Sequence, residues 1–461
     1  MLVMKFGGTS VGDPEAMARV AAIIGARLDR WPAVVVSAVA KTTDELVALA
    51  EAAAQVDRPR TAALTEWIIQ KHTKIVAELG MESSADLRSV LAGTLEELMR
   101  IGGLLADRGK VEPELLDDCL SWGEYLSARI LAAYLRSRGI DAEWVDARRV
   151  FVTDSRFGRA RPYPEDSRPQ AGQLVEASIR EGRVPVLQGF VGRDKEGRTT
   201  TFGRGGSDYS ATFLGTLIGA RAVEIWTDVD GIMTADPSLL QGVRRIRRMT
   251  FEEAAELAYF GAKVLHPSTL LPAVRGGISV FVMNSMKSEA PGTEIVSGAQ
   301  VISADKALVK SIAYKEGLSV VNVKSTRMLM AYGFLATIFE IFNRHETPVD
   351  LVSTSEVSVS VTIDSRERLQ EIVQALSEVG DVEIRHGQAI VCLVGEGICR
   401  RPDLPARIFG ELEGIQINLI SQGASKINIS FVIDEVSLPE VVGRLHRRFF
   451  SGPLDEEIFA P

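Results

Sequence analysis

Cysteine is scarce in this chain. Cys119, Cys392 and Cys399 are the full complement of 461 residues, an odd number with no C-x-x-C spacing. That excludes a disulfide framework and a cysteine zinc site, and it fits a reducing compartment. Long apolar runs are missing too: nowhere do 18 apolar residues follow one another, and the N-terminus runs directly into "VMKFGG". Neither a membrane-spanning helix nor a secretory leader is expected. Basic runs are absent as well. The balance of 52 basic and 61 acidic residues gives a formal charge of −9, with no stretch able to form a nucleic-acid or membrane surface. The expectation is a cytoplasmic protein with small-molecule partners, no nucleic acid and no membrane. Its length calls for two or three domains, each with its own core.

Several familiar motifs are also lacking. "GGLLADRGK" has the wrong glycine spacing for a P-loop and no Ser or Thr after Lys110, and it reads as a helix end. "GRGGSD" ends on Asp208 where a dinucleotide fingerprint needs glycine. "DVDG" supplies two acids and then no glutamate at position 12, so a calcium loop is excluded.

What is present is an alternation of short β-branched runs with longer helical ones. "LVMKF", a helix from Pro14 to about Leu28, "AVVVSA", "VPVLQGF", "AVEIWTD" and "SVFVMN" follow one another through the first 300 residues. Apolar strands without polar alternation predict an α/β fold whose mostly parallel sheet is sandwiched by helices, with ligands beyond the carboxyl ends of the strands. Two glycine-rich loops belong there. In "KFGGTS" Lys5 ends the first strand, and Gly7 and Gly8 turn the chain toward a helix. In "TFGRGGSDYSATFLG" a helix beginning after the glycines aims its positive end at the loop. A compact ammonium beside exposed N–H groups suits a phosphoryl group in transit. Arg204 offers a fork for a carboxylate, and Asp208 a group to orient lysines or Mg²⁺-bound phosphates.

Past residues 290–306, "APGTEIVSGAQVISADKA" is turn-rich, and the pattern changes to short β-α-β units. Two segments there look alike: Ile338-Phe339 recurs as Ile408-Phe409, and Ile363-Asp364 as Ile433-Asp434, a spacing of 70 both times. Such a period marks duplication of a small domain, and units so small are expected to pack against one another within or between chains.

Together "VMKFGGTSV", "SWGEYLSARIL", "TFGRGGSDYSA", "WTDVDGIMTADP", "FGAKVLHPSTLLPAV" and "APGTEI" resemble, in order across residues 3 to 295, the signatures of the aspartokinases, an amino-acid-kinase family. "GFLATIFEIFNRHETPVDLVSTSEVSVSVTID" is similar to the first of their two ACT domains. The resemblance implies an amino-acid-kinase domain over 1–300, then two ferredoxin-like βαββαβ ACT domains over 301–386 and 387–461, the second completed by a strand from 307–316. It implies transfer of the phosphoryl group of ATP, with Mg²⁺, to the β-carboxylate of L-aspartate, the first step of lysine, threonine and methionine biosynthesis. The chain ends without room for a fused homoserine dehydrogenase, so a monofunctional enzyme is expected.

Residue by residue, the resemblance makes Lys5 the lysine that neutralises the moving phosphoryl group and Asp208 the aspartate that holds it. Ser37, Thr43, Glu124, Arg204 and Ser207 match the substrate site, with Glu124 taking the α-ammonium and Arg204 the α-carboxylate. Lys5, Phe6, Gly7, Gly8, Thr227, Asp228, Lys263 and Val264 match nucleotide contacts. So do Met233, where some members carry tyrosine, and Ser238, where some carry arginine. No dedicated metal ligands are implied. Met328, Ala331, Gly333, Phe334, Leu335, Val349, Asp350, Ser355 and Glu356 match the region where lysine-sensitive members hold lysine between paired ACT domains, Asp350 and Glu356 facing its two ammonium groups. Ala331 and Pro348 replace serines of some lysine-sensitive members, which leaves threonine as the substitute effector. A homodimer, or a dimer of dimers, through the ACT domains follows. No step needs a histidine base, because a carboxylate is already unprotonated at neutral pH.

Overall fold

A computed structural model describes residues 1–261, 267–298, 309–325, 332–364 and 367–460. The chain folds as two compact units: Met1–Ile232, Arg247–Phe251 and Val264–Gln300 form one, and Met233–Ile246, Glu252–Lys263 and Val301–Pro461 the other.

The first unit opens with β1 (Leu2–Phe6), α1 (Pro14–Gly25), β2 (Pro32–Val36), α2 (Thr42–Ala54), α3 (Arg58–Glu78), α4 (Ala85–Arg108) and α5 (Pro113–Ser137). It continues through β3 (Ala142–Val145), β4 (Val152–Thr153), α6 (Pro164–Ala171), α7 (Ala177–Arg180), β5 (Val184–Gln188), β6 (Val191–Asp194), β7 (Thr199–Thr201), α8 (Gly206–Leu217) and β8 (Ala222–Thr227). Next come β9 (Arg248–Thr250), α10 (Pro267–Gly276), β10 (Ser279–Asn284) and β11 (Thr293–Val296), while α9 (Phe251–Tyr259), between β9 and α10 in the chain, lies in the second unit from Glu252 onward. Eight strands run in the order β3-β5-β2-β1-β8-β10-β11-β9, every neighbouring pair parallel except β10 with β11. The expected parallel α/β sheet is therefore observed. The strand residues are apolar because both faces are covered.

Alternation along β1 sets up the chemistry. Leu2, Met4 and Phe6 point into a core shared with α1 to α5. Successive strand side chains face opposite ways, so Val3 and Lys5 face the other side, where α8 packs on β1. The helix expected from Pro14 to about Leu28 starts at Pro14 and ends at Gly25: Asp13 caps α1, its Oδ1 accepting from Ala16 N at 2.7 Å, with Pro14 at the first helical position. The N-terminus of α1 is thus spent on its own cap, and α8 carries the positive end near Lys5.

The second unit holds β12 (Ser311–Lys324), α11 (Phe334–Arg344), β13 (Val352–Thr354), β14 (Ser358–Ile363), α12 (Leu369–Ser377), β15 (Asp381–Val394), α13 (Leu404–Gly410), β16 (Ile417–Gln422), β17 (Asn428–Asp434) and α14 (Leu438–Phe450). Its sheet runs β13-β14-β12-β15-β17-β16, all antiparallel. The long strands β12 and β15 serve two lobes. Residues 319–324 of β12 pair with β14 and residues 318–324 lie along the first half of β15, while Ser311–Lys315 pair with Val394–Ile390, across a register shift at Lys315 and Leu318. The repeat is visible in the elements: α11 and α13 start 70 residues apart (404 − 334), as do β14 and β17 (428 − 358).

A single cut at residue 300 does not describe the packing. Met233–Ile246 belongs with the second sheet: Ile312 N donates to Thr234 O at 2.9 Å, Ser311 Oγ to Met233 O at 2.8 Å, and the Tyr314 hydroxyl to Asp236 at 3.1 Å. α9 is fastened there as well. Buried Glu253 accepts from Lys310 Nζ and from Glu396 N, each at 2.7 Å, and Glu256 accepts from Asn428 Nδ2 at 2.7 Å. A carboxylate removed from water needs such partners, and Lys310 just before β12, Asn428 on β17 and the loop after β15 supply them.

Candidate active site

Lys5 Nζ lies 2.7 Å from Asp208 Oδ1, although 203 residues separate them in sequence. Both side chains are largely buried, so the pair is held by the fold and not by surface chance. Asp208 sits in the first turn of α8, and the helix enters through Gly205 in the left-handed region (φ 67°) with no side chain capping its first N–H groups. Such an end favours an anion. Opposite it the β1 loop closes tightly: a Cβ on Gly8 would meet the Ala38 carbonyl oxygen at 2.9 Å, and one on Gly7 would stand 3.5 Å from Lys5 Nζ. A side chain there would fill the space in front of the ammonium.

A cavity of about 630 Å³ opens onto this pair. It is lined by Lys5, Gly8, Ser37, Thr43, Glu124, Arg204, Ser207 and Asp208, so every residue expected at the substrate site meets the Lys5–Asp208 pair in one space. Arg204 is exposed at its edge. Ser37 is placed by backbone bonds, its N donating to Phe6 O at 3.0 Å and its carbonyl accepting from Ser127 Oγ at 2.7 Å. Glu124 stands on α5 with 4% of its surface exposed, and burial pushes its carboxyl up to about 8. Its Oε2 has no hydrogen-bond partner. An orphaned carboxyl oxygen in a polar cavity is costly unless a ligand donor completes it.

Other expected residues are placed differently. Phe6 is fully buried and stacks on Trp226 at 6.1 Å between ring centroids, so its side chain is core beneath the loop and reaches no ligand. Thr227 and exposed Asp228 end β8, with Thr227 Oγ1 donating to Asp228 Oδ1 at 3.2 Å. Met233 and Ser238 fall in the second unit, where Ser238 bonds Asp236 through both N and Oγ at 2.8 and 2.6 Å. Lys263, Val264, Met328 and Ala331 lie outside the described residues.

Around the expected effector region, Gly333 is the left-handed residue before α11, Phe334 and Val349 pack on the lobe core, and Leu335 and Glu356 are exposed. Ser355 Oγ pairs with Ser358 Oγ at 2.7 Å. Asp350 is expected to face an effector ammonium, but both its oxygens already lie 2.9 Å from Lys315 Nζ, and Oδ1 also accepts from the Tyr259 hydroxyl at 3.0 Å. The physical reason is burial: with 4% of its side chain exposed, Asp350 requires a cation.

Asp117 is a cavity residue that the sequence motifs do not single out. It is buried and accepts from Gly158 N, Thr201 N and Thr201 Oγ1 at 2.8–3.0 Å. Its signal is its position seven residues before Glu124 on one helix, which puts both acids on the same face. Lys41 also lines the cavity and stands outside the expected set.

Comparison with known proteins now bears on this geometry. The amino acid kinase family matches residues 1–284, and the ACT domain matches 391–449. Over 475 residues the chain is 38% identical to aspartokinase 1, chloroplastic, of Arabidopsis thaliana, covering 100% of this chain and 82% of that one. It belongs to the aspartokinases. The lysine-sensitive aspartokinase 3 of Escherichia coli (strain K12) is 37% identical over 464 residues, 98% of this chain and 99% of that one. Among solved aspartokinases, the fold is similar to E. coli aspartokinase III in complex with aspartate and ADP, its R-state, with a TM-score of 0.83 over 98% of this chain and 100% of that one. The same enzyme with lysine and aspartate, its T-state, gives 0.84 over 98% and 99%. Both are 37% identical to this chain.

Proposed function

We propose that this chain transfers the γ-phosphoryl group of ATP to the β-carboxylate of L-aspartate, giving 4-phospho-L-aspartate and ADP. One observation carries the reading: the Lys5–Asp208 pair and the Glu124 carboxyl with its unpartnered oxygen open into the same cavity. An oxygen of the acceptor carboxylate attacks the γ-phosphorus as the bond from that phosphorus to the β,γ-bridging oxygen breaks. No proton has to be removed, so the protein supplies position and charge. Lys5 neutralises the equatorial oxygens of the moving group, and Asp208 fixes its ammonium. The N–H groups opening α8 face the phosphates. Glu124 receives the α-ammonium of aspartate and Arg204 its α-carboxylate, with Ser37, Thr43 and Ser207 around them.

Mg²⁺ fits as an ion that travels with the nucleotide. Among the described residues no group of three carboxylate, imidazole or thiolate ligands is gathered, so the nucleotide would bring most of its ligands, and Asp208 is the carboxylate that would stand beside them. When bound it neutralises phosphate charge.

Feedback by lysine accompanies this activity in our reading, with threonine as the substitute and a homodimer through the ACT domains as the responding assembly in the cytoplasm. Release of ADP tests the whole: turnover is expected with aspartate but not with glutamate or acetylglutamate, and to fall when millimolar lysine is added. Equal turnover with all three acceptors would overturn the substrate; indifference to lysine and to threonine would overturn the feedback.

A further inference from the structure

Two helices enter the cavity in the same unusual way. α8 begins after Gly205 and α2 begins after Lys41, each entry residue in the left-handed region at φ 67°, and neither helix has a side chain capping its first turn. For glycine that conformation is free; for lysine it is strained, because Cβ crowds the following carbonyl. Strain of this kind persists where the surroundings enforce it, and it concentrates at functional sites. Of the five non-glycine residues with positive φ among those described, Lys41 and Phe190 line this one cavity.

The surroundings of Lys41 do enforce it. Lys71 reaches from α3 to donate its ammonium to the Ala40 carbonyl, and that ammonium lies 4.8 Å over the Trp67 ring. The peptide preceding Lys41 is thereby pinned from behind. Lys41 is exposed and lines the cavity, two residues from Thr43, on the loop whose Ser37 and Ala38 line it with Gly8 and Glu124. Lys5 is committed to Asp208, so Lys41 is a second ammonium there, with no ion pair to a carboxylate among the described residues. The unpartnered Glu124 oxygen in the same space independently marks a ligand position.

We propose that Lys41 is a ligand-contacting residue of this site, its ammonium binding an anionic oxygen of the bound reactants, with Lys71 as the positioning residue that presents it. The inference rests on the kinase reading above. The oxygen is either a carboxylate oxygen of the acceptor or an oxygen of the terminal phosphate.

The test uses the full chain carrying Lys41→Gly, Lys41→Met or Lys41→Arg, with KM for aspartate and for ATP measured separately beside thermal melting. In Lys41→Gly the melting temperature is expected at or above that of the parent, since the strain is relieved, while one KM rises about tenfold, the scale of one charge-assisted contact. Lys41→Met is expected to show the same kinetic loss, and Lys41→Arg to recover most of it. A rise confined to aspartate places the oxygen on the acceptor, and one confined to ATP places it on the phosphate; either supports the proposal. Lys71→Met is expected to raise the same KM. Values for Lys41→Gly and Lys41→Met within twofold of the parent for both reactants would overturn the proposal. Failure of the parent chain itself to release ADP with aspartate is a separate result, which would overturn the kinase reading instead.

Discussion

The cavity at Lys5 and the region around Asp350 each gather buried carboxylates and lysines, yet they are finished differently. In the cavity a fully buried carboxyl has an oxygen with no partner, two helix ends are uncapped, and Arg204 and Lys41 stand exposed. At Asp350 the buried carboxylate is partnered: Lys315 bridges Asp350 and Asp364 at 2.9–3.0 Å, and Tyr259 donates a further bond to Asp350. Burial and the Asp350 carboxylate push the Tyr259 hydroxyl up to about 12, so it stays a donor throughout the physiological range. The contrast separates a site that keeps its polar groups waiting for a ligand from one that satisfies them with its own side chains. If an effector ammonium binds at Asp350, it has to displace Lys315, and the energy of feedback would then be a difference between two cations.

The largest effect that would sharpen this contrast comes from removing the charge of the waiting site. Lys5→Ala or Asp208→Ala is expected to lower kcat by about two to four orders of magnitude with the fold intact, as for loss of a preorganised charge; circular dichroism beside a turnover assay checks both halves, and near-normal turnover would remove these roles.

Glu124→Gln comes next, with kcat/KM for aspartate expected to fall about a hundredfold as a buried ion pair to the substrate ammonium is lost. The pH dependence follows from the carboxyl's rise to about 8. Between its ordinary range and that value the folded state holds a proton that the unfolded state has released, so stability declines as pH climbs from about 4.5 toward 8. The parent is expected to lose melting temperature over that window more steeply than Glu124→Gln does. Aspartate binding near neutral pH is expected to expel a proton, which calorimetry in buffers of different ionisation enthalpy would detect. Parallel melting curves would break the comparison from this side.

The smallest effect concerns the satisfied region. Lys315→Met removes the internal competitor, and lysine is expected to inhibit at about fivefold lower concentration, within the usual range of coupling energies. Unchanged or weaker inhibition would mean that Asp350 does not receive the effector.

The strands are legible in the sequence because both faces of the parallel sheet are buried, which leaves β-branched runs such as "AVVV" without polar alternation. The convergence of Lys5 with residues 203–208 is legible from chemistry, since two glycine-rich turns after strands suit one anion. The start of α1 at Pro14 is legible because Asp13 and Pro14 spell a cap. The left-handed backbone of Lys41 leaves no trace in composition, for nothing local to "AVAKTT" announces that Lys71 pins the peptide. The pairing of Asp350 is equally hidden: Lys315 and Tyr259 lie 35 and 91 residues away, and only the fold decides that a buried acid meets them before any effector does.

The attachment of α9 and of residues 233–246 to the regulatory sheet bears on how this enzyme is dissected. A fragment ending at residue 300 would carry both stretches away from every partner named for them, leaving Glu253, wholly enclosed in the intact chain, beside an empty berth where Lys310 had been. Loss of activity in such a truncation would report a torn helix rather than the absence of a governor. A variant meant to free catalysis from control should therefore keep the sheet and blunt its effector contacts by point substitution.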